Sequence, residues 1–404
     1  MKPFEGVRVL DFTQFTSGPV CTYIMADLGA EVIKIENPPY GDNNHYNTPS
    51  KNRHTSYITS LNHNKKTILM NMKDPEQQEL FLEMVKTADL VIDNFKAGTL
   101  EKFGMSFERM QEANPKIVWT SISGYGQVGP WAKKTAYDVT IQAGSGLMSV
   151  TGEKGGAALK AGMSMSDYTS GLYACCGSIA AMMDAKRTGK GRRIDFGMLD
   201  SSYSIVSRAI ADYYITGQLD KRMGREHRDF APYNSFVCKD GKELMICVTT
   251  DEQFEALCKV LGVKAADQYA VNENRVADRE IINQFVSDET CSRERNELKE
   301  ALENAKVPCA VILNEEEAIL SDHMKERELY IPVKFDDGTV TRIPALPIRM
   351  TGVPQQKEAF AHELGQDTLE FIGQFVSPEK LEEKYRPVVE DSHAKWLART
   401  ESFK

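Results

Sequence analysis

Val7-Arg8-Val9-Leu10-Asp11-Phe12, the apolar run Val20 to Leu28, and Glu31-Val32-Ile33-Lys34-Ile35-Glu36 decide the fold. The first and third segments have strand length and β-branched content, while the middle one, opened by Gly18-Pro19, reads as a helix. Strand, helix and strand in so short a span form a βαβ unit, whose two strands lie parallel. Helix-then-strand units recur at Pro75 to Thr87 before Leu90-Val91-Ile92, and at Phe107 to Ala113 before Lys116-Ile117-Val118-Trp119. The N-terminal part is therefore read as α/β, with a mainly parallel sheet covered on both faces. A dinucleotide site on such a sheet needs G-x-G-x-x-G after the first strand, so that backbone can approach the pyrophosphate. Thr13-Gln14-Phe15-Thr16-Ser17-Gly18-Pro19 does not supply it, and Glu36 ending the second strand is a weak signal alone. A nicotinamide-dependent oxidoreductase is a poor reading.

Further along, the pattern breaks at the charged stretch Gln218 to Asp229, read as a linker or active-site loop. Ser235 to Cys238 and Glu243 to Val248 flank Lys239-Asp240-Gly241-Lys242 as a hairpin. Amphipathic helices near Glu252 to Leu261 and Arg293 to Ala305 and an apolar strand Val307 to Leu313 complete a compact α+β unit. A second hairpin centred on Asp336-Asp337-Gly338 and a helix from Gln366 to Phe375 follow. The expected organisation is a large α/β domain over 1–215, a linker over 216–232, a small α+β domain over 233–325, and a return linker with the C-terminal part of the large domain over 326–404.

The chain has 404 residues, 41% of them hydrophobic, enough to fill two ordinary cores. Its formal net charge of -9 argues against a nucleic-acid binder, which would neutralise phosphates with clustered Lys and Arg. No stretch approaches the roughly 20 apolar residues of a membrane span, and MKPFEGVRVLDF lacks the tripartite order of a signal peptide. A cytoplasmic protein without a membrane partner is expected. The eight cysteines are dispersed, and the seven histidines form no HExxH or close pair, so neither a metal site nor a disulfide framework is suggested. Cys175 and Cys176 are adjacent, but helical neighbours point to different faces, which makes plain packing the simpler view.

The most informative segment runs from Met163 to Asp195. Ser164-Met165-Ser166-Asp167 precedes an apolar helix carrying Leu172, Cys176, Ile179 and Met183, with Gly189 and Gly191 at its far end. Asp167 is thus placed at a helix start, where unpaired N–H groups and the helix dipole favour an ionised carboxylate. The plain alternative is that Asp167 is only an N-cap.

Several ordered motifs give the whole chain a specific resemblance. They are Gly6 to Phe12 with Gly18-Pro19, Leu28-Gly29-Ala30-Glu31-Val32-Ile33-Lys34-Ile35-Glu36, Asn64-Lys65-Lys66, Asn94-Phe95-Lys96-Ala97-Gly98, Ser123-Gly124-Tyr125-Gly126, Tyr137-Asp138 and Thr188-Gly189-Lys190-Gly191. In this order they resemble the class III CoA-transferases, the CaiB/BaiF-type family of formyl-CoA, carnitine and bile-acid CoA-transferases. The family's nucleophilic aspartate opens a helix about twenty residues before a T-G-x-G turn, the place that Asp167 occupies. Ser166 to Leu172 is closer to the carnitine and bile-acid branch.

The resemblance implies a Rossmann-like large domain with a parallel sheet plus a smaller α+β domain, assembled as an interlocked, ring-like homodimer. It implies transfer of coenzyme A from an acyl-CoA to a small carboxylic acid, through mixed anhydrides and an aspartyl-CoA thioester, with no tightly bound cofactor. Tyr137 and Gln14 fall where the family places polar groups beside Asp167. The coenzyme A contacts carried over are Phe15, Thr16, Ser17, Asn37, Met70, Lys73, Asn94, Phe95, Thr99 and Lys102. Asn37 departs from the formyl branch, which has Arg there, leaving Lys73 or Lys102 for the 3′-phosphate. The ordinary alternatives are solvated lysines, core phenylalanines and a core Tyr137 with a satisfied hydroxyl. The glycine-run lid of the formyl branch has no counterpart here.

Two rivals remain open. An α-methylacyl-CoA racemase would share the fold but needs a second acid/base, and its Gly-His-Asp is replaced here by Ala136-Tyr137-Asp138. A non-catalytic CoA-binding homologue is the other, against which the presence of Asp167 argues. Arg222, Arg225, His227 and Arg228 are cations that could meet an anionic acceptor, although such charge runs usually face water.

Overall fold

The computed structural model describes residues 1–401. Strands β1 (Arg8–Asp11), β2 (Glu31–Glu36), β3 (Lys65–Leu69), β4 (Leu90–Asp93), β5 (Val118–Ser123) and β6 (Arg193–Gly197) form one six-stranded sheet. Its order is β3-β2-β1-β4-β5-β6, and every neighbouring pair is parallel. Parallel sheets bury both faces, and alternate residues here feed two cores. Leu10, Ile33, Ile68, Val91 and Trp119 enter one, while Val9, Val32, Leu90, Val118 and Ile122 enter the other. Strand order reverses between β1 and β4, which opens a crevice at their carboxyl ends.

Strand β3 was hidden from a periodicity argument because it begins Lys65-Lys66-Thr67. Lys65 is nevertheless fully buried, its ammonium donating to Asp11 Oδ2 at 3.2 Å, Thr22 Oγ1 at 2.7 Å and Asn62 Oδ1 at 2.9 Å. Burial pulls its pKa down to about 8, against the attraction of Asp11. These contacts tie β3 to β1 and to helix α1 (Ser17–Asp27).

Two further helices position the site, α2 (Asp138–Gly144) and the 24-residue α3 (Met165–Thr188). Gly189 ends α3 at φ 73°, a left-handed cap that glycine adopts freely. Helices α1 and α3 meet closely at Gly171, where an added Cβ would lie 2.6 Å from the Ser17 carbonyl oxygen and 2.5 Å from Val20 Cβ. One turn further along, the Cys21 and Cys175 thiols meet. Rising positions on α1 therefore match rising positions on α3. Asp167, one turn before Gly171, lies toward the segment that precedes Ser17. Cys175 is buried and Cys176 exposed, as adjacent helical positions require.

The chain forms two compact units, residues 1–147, 161–211 and 325 onward in one, and residues 148–160 and 212–324 in the other. The second unit carries an antiparallel sheet of β7 (Tyr233–Val237), β8 (Glu243–Cys247) and β9 (Cys309–Val311), in the order β9-β8-β7. Its Arg222 donates to the carbonyls of Ser149 and Gly156, which ties the 148–160 segment to this unit. Arg225 pairs with Glu243, and Arg228 with Asp212 and Asp220. The arginines of the charged stretch are thus engaged inside their own unit.

In the first unit, β10 (Tyr330–Lys334) and β11 (Val340–Pro344) form the expected hairpin. The helix expected over 366–375 is shorter, Thr368–Ile372. A helix Arg386–Thr400 was not anticipated, since it shows no apolar stripe; Trp396 anchors it against Leu69 and Leu364. Among the described residues no helix is long and apolar enough to cross a membrane.

Candidate active site

The crevice at the carboxyl ends of β1 and β4 is bridged by Asn94. Its Oδ1 accepts the Gln14 N–H at 2.8 Å, and its Nδ2 donates to the Gln14 carbonyl at 2.6 Å and to Ser17 Oγ at 3.2 Å. Sequence motifs 80 residues apart are thus joined by one amide. Just before Asn94, buried Asp93 accepts from Trp119 Nε1 at 2.7 Å, Ser121 Oγ at 2.8 Å and the Phe95 N–H at 3.1 Å. Burial without a cation pushes this carboxyl up to about 6.

Beside this bridge lies a groove of about 240 Å³ lined by Phe12, Gln14, Ile35, Asn37, Met70, Met72, Lys73, Phe95, Thr99, Leu100 and Phe103. It gathers five of the anticipated coenzyme A contacts, namely Asn37, Met70, Lys73, Phe95 and Thr99, together with Gln14, which was expected beside Asp167. Thr16 and Ser17 are buried at the start of α1, whereas Phe15, Lys73 and Lys102 are exposed. Phe95 packs partly into the core, so its ordinary role and its groove-lining position coexist. The Asn37 amide donates to the Pro38 carbonyl at 3.0 Å and carries no charge. The apolar walls suit an extended flexible arm, and Lys73 supplies a cation at the groove.

Asp167 occupies the first turn of α3, but it does not cap it. That task falls to Asp138 of α2, whose Oδ1 accepts the N–H groups of Ser166 at 2.8 Å and Asp167 at 3.2 Å. Asp138 Oδ2 in turn accepts from Gln142 Nε2 at 2.6 Å. Ser164 at the N-cap makes no side-chain capping bond. The half-buried Asp167 carboxyl has no hydrogen-bond partner among the described residues. Burial, and then repulsion from Asp138, push it up to about 7. The expectation that the helix start would hold this carboxylate charged is corrected here: Asp138 takes the N–H groups that would have done so. A carboxylate of raised pKa, with no bond to satisfy it, is a stronger base and nucleophile than an ordinary one.

Tyr137, next to that capping aspartate, is 64% exposed, which excludes the core-tyrosine alternative. Its N–H donates to Thr140 Oγ1 at 2.9 Å, fixing the start of α2. Asp138 was visible in the Tyr137-Asp138 motif, yet its capping role spans 28 residues and had no local signal. Among the described residues no group of three or more His, Cys, Asp or Glu could hold a metal ion.

Residues 4–368 match the sequence profile of CoA-transferase family III. A succinate–glutarate CoA-transferase of Agrobacterium fabrum is 34% identical over 388 residues, covering 94% of this chain and 97% of that protein. An acetyl-CoA:oxalate CoA-transferase of Acetobacter aceti is 32% identical over 382 residues, covering 93% of this chain and 97% of that one. Among solved structures, a CaiB/BaiF family protein from Brucella suis is similar with a TM-score of 0.83 and 29% identity, covering 92% of this chain and 99% of the other. Because profile and relatives span nearly the whole chain rather than the sheet domain alone, this protein belongs to CoA-transferase family III and is a CoA-transferase.

Proposed function

We propose that this protein moves coenzyme A from an acyl-CoA to a small carboxylic acid by way of a thioester formed on Asp167. The observation that carries the reading is a half-buried carboxyl, unpartnered among the described residues, at the entrance of a helix capped by another residue. In the first step the Asp167 carboxylate attacks the donor acyl carbon, the C–S bond breaks, and coenzyme A leaves as thiolate. The thiolate then attacks the Asp167 carbonyl of the mixed anhydride, releasing the donor acid and forming the aspartyl thioester. The acceptor carboxylate expels the thiolate again to form a second anhydride. Attack of the thiolate on the acceptor's acyl carbon then frees Asp167. Exchange of acid for acid is close to thermoneutral, so the requirement is to keep water from the anhydrides.

Gln14 and Tyr137 are assigned to the developing oxyanion, where a positioned donor is worth most. The groove with Met70, Phe95 and Thr99 would take the pantetheine and adenine parts, bordered by Phe15, Thr16, Ser17 and Asn94. Lys73 and Lys102 would serve the phosphates, since Asn37 has no charge to offer. The two relatives' names carry succinate, glutarate and oxalate, and we place the acceptor among short dicarboxylic acids. A screen of acyl-CoA donors against mono- and dicarboxylates checks this; preference for a monocarboxylate contradicts it. The working form is proposed as an interlocked homodimer in which the unit of residues 1–147, 161–211 and 325 onward, rather than the continuous span 1–215 expected from the sequence, makes the CoA-binding domain. Reversible dissociation into folded monomers on dilution, followed by ultracentrifugation, would contradict the interlocking.

The decisive experiment mixes protein with acyl-CoA and follows the intact mass. A coenzyme A adduct on Asp167, released by hydroxylamine and reduced by borohydride, is expected. Exchange of the substrate's α-proton in heavy water without an adduct would instead indicate racemisation. The raised pKa sets the pH dependence. Asp167 attacks only when ionised, so kcat/KM for acyl-CoA should fall about tenfold per pH unit below about 7 and level off above it. A profile flat from pH 5 to 8 contradicts the assignment.

A further inference from the structure

Phe15 lies between Gln14, which lines the groove, and Thr16, which is buried at the start of α1, and its backbone is strained. Its φ of 60° is left-handed, uncommon for a residue with a bulky Cβ substituent. Such a conformation persists only where its surroundings over-determine it. On the β4 side, Asn94 grips both polar groups of the Gln14 backbone, as described above. On the β2 side the grip comes from the turn that follows β2. Asp42 Oδ1 accepts the Phe15 N–H at 3.3 Å, and Asn44 Nδ2 donates to the Phe15 carbonyl at 2.5 Å. Asp42 Oδ1 also accepts the Asn44 N–H at 3.0 Å, so the two arms form one unit.

That unit is anchored by charge. Lys34 of β2 donates to Asp42 Oδ2 at 3.1 Å and to the Thr13 carbonyl at 2.6 Å. The Asp42 N–H donates to Glu36 Oε1 at 2.9 Å. Asp42 and Asn44 are fully buried, and Lys34 nearly so. None of the three lines the groove beside Gln14. A buried ion pair is weak support for stability by itself, and an equivalent apolar pair often serves as well. Here its hydrogen bonds converge on the backbone of one turn, the turn that precedes Ser17, whose carbonyl packs against Gly171 one turn after Asp167.

We propose that Asp42 and Asn44 are positioning residues for CoA transfer: they hold the Phe15 peptide in its left-handed conformation, and thereby fix Gln14 and the Phe15 ring opposite Asp167. The role rests on the Asp167 reading above, and it concerns geometry at the site, not the integrity of the fold. Loosening one arm should let the turn relax by a fraction of an ångström, enough to lower the rate about tenfold where a full ångström costs on the order of 10²-fold.

The test uses Asn44→Ala, which removes one arm and leaves the Lys34–Asp42 ion pair intact, and Asp42→Asn, which weakens the other. Each is made in the wild-type chain and in a Phe15→Gly background, because glycine adopts φ near 60° without a clamp. Melting temperature, kcat, KM for acyl-CoA and the rate of adduct formation on Asp167 are measured. Expected is a near-wild-type melting temperature for Asn44→Ala, a kcat lowered about tenfold with a smaller rise in KM, and a loss of threefold or less when Phe15 is already glycine. Wild-type kcat in Asn44→Ala, or the same tenfold loss in both backgrounds, overturns the proposal. Should Asp42→Asn fail to fold, Asn44→Ala alone decides. Absence of an adduct in the wild-type protein would remove the Asp167 reading, while the kcat comparison would still judge the clamp.

Discussion

Asp167→Asn is expected to abolish CoA transfer, lowering kcat on the order of 10⁴-fold or more, the range seen when a covalent nucleophile is removed. An amide of the same shape can neither attack a thioester nor carry the coenzyme. The same variant should be more stable than the wild type at neutral and higher pH. Asp167 is raised to about 7 by burial and by Asp138, whereas the unfolded chain's aspartate ionises near 4. Between those values the folded state binds a proton that the unfolded state has released, so wild-type stability falls as pH rises from about 4 to 7. An amide at position 167 has no charge to desolvate. The melting temperature of Asp167→Asn should therefore match wild type near pH 4 and exceed it by a few degrees at pH 8, taking about 2 °C per kcal/mol for a chain of this size. Thermal melts at the two pH values, together with a transfer assay, check both halves. Residual transfer within tenfold of wild type would sink the nucleophile assignment. Loss of transfer with an unchanged melting temperature at pH 8 would instead leave the nucleophile and revise its electrostatics.

Such a trade of stability for a reactive group is usual at active sites, and it explains why parts of this site were legible in the sequence and parts were not. The opening β1-α1-β2 unit could be read directly because Val9, Leu10, Val20, Val32 and Ile33 are apolar and buried. Strand β3 could not, because its Lys65 satisfies its charge on Asp11, which lies 54 positions away. Asp167 was found through the order of motifs, not through its local chemistry, which suits an ordinary N-cap equally well. What removes the capping role from it is Asp138, and a bond across 28 positions leaves no periodicity to detect. The same holds for Asp42 and Asn44. In the sequence they are polar residues in a loop, and only the folded chain brings them to the Phe15 peptide. The segment 148–160 belongs to the second unit for a similar reason, since its carbonyls are held by Arg222.

Gly171→Ala carries the second large expectation, because one methyl group should separate the two halves of the site. The new Cβ would stand 2.6 Å from the Ser17 carbonyl oxygen and 2.5 Å from Val20 Cβ, closer than real Cβ atoms come. Neither neighbour can swing aside: one is backbone at the start of α1, and the other is a fully buried β-branched side chain. Helix α3 must therefore move from α1, carrying Asp167 away from the start of α1. Overpacking of this kind costs about 1–3 kcal/mol, only partly offset by alanine's better helix propensity of about 1 kcal/mol. The larger effect is on transfer, since displacement by about 1 Å costs on the order of 10²-fold. Gly177 on the same helix supplies the control, because the nearest atom to its added Cβ is Ile194 Cδ1 at 3.9 Å. Gly177→Ala should keep wild-type transfer and gain up to about 1 kcal/mol from helix propensity. Denaturant unfolding and transfer rates for the two variants give the comparison. Equal behaviour of Gly171→Ala and Gly177→Ala would show that the α1–α3 contact does not set the distance between Asp167 and the turn before Ser17.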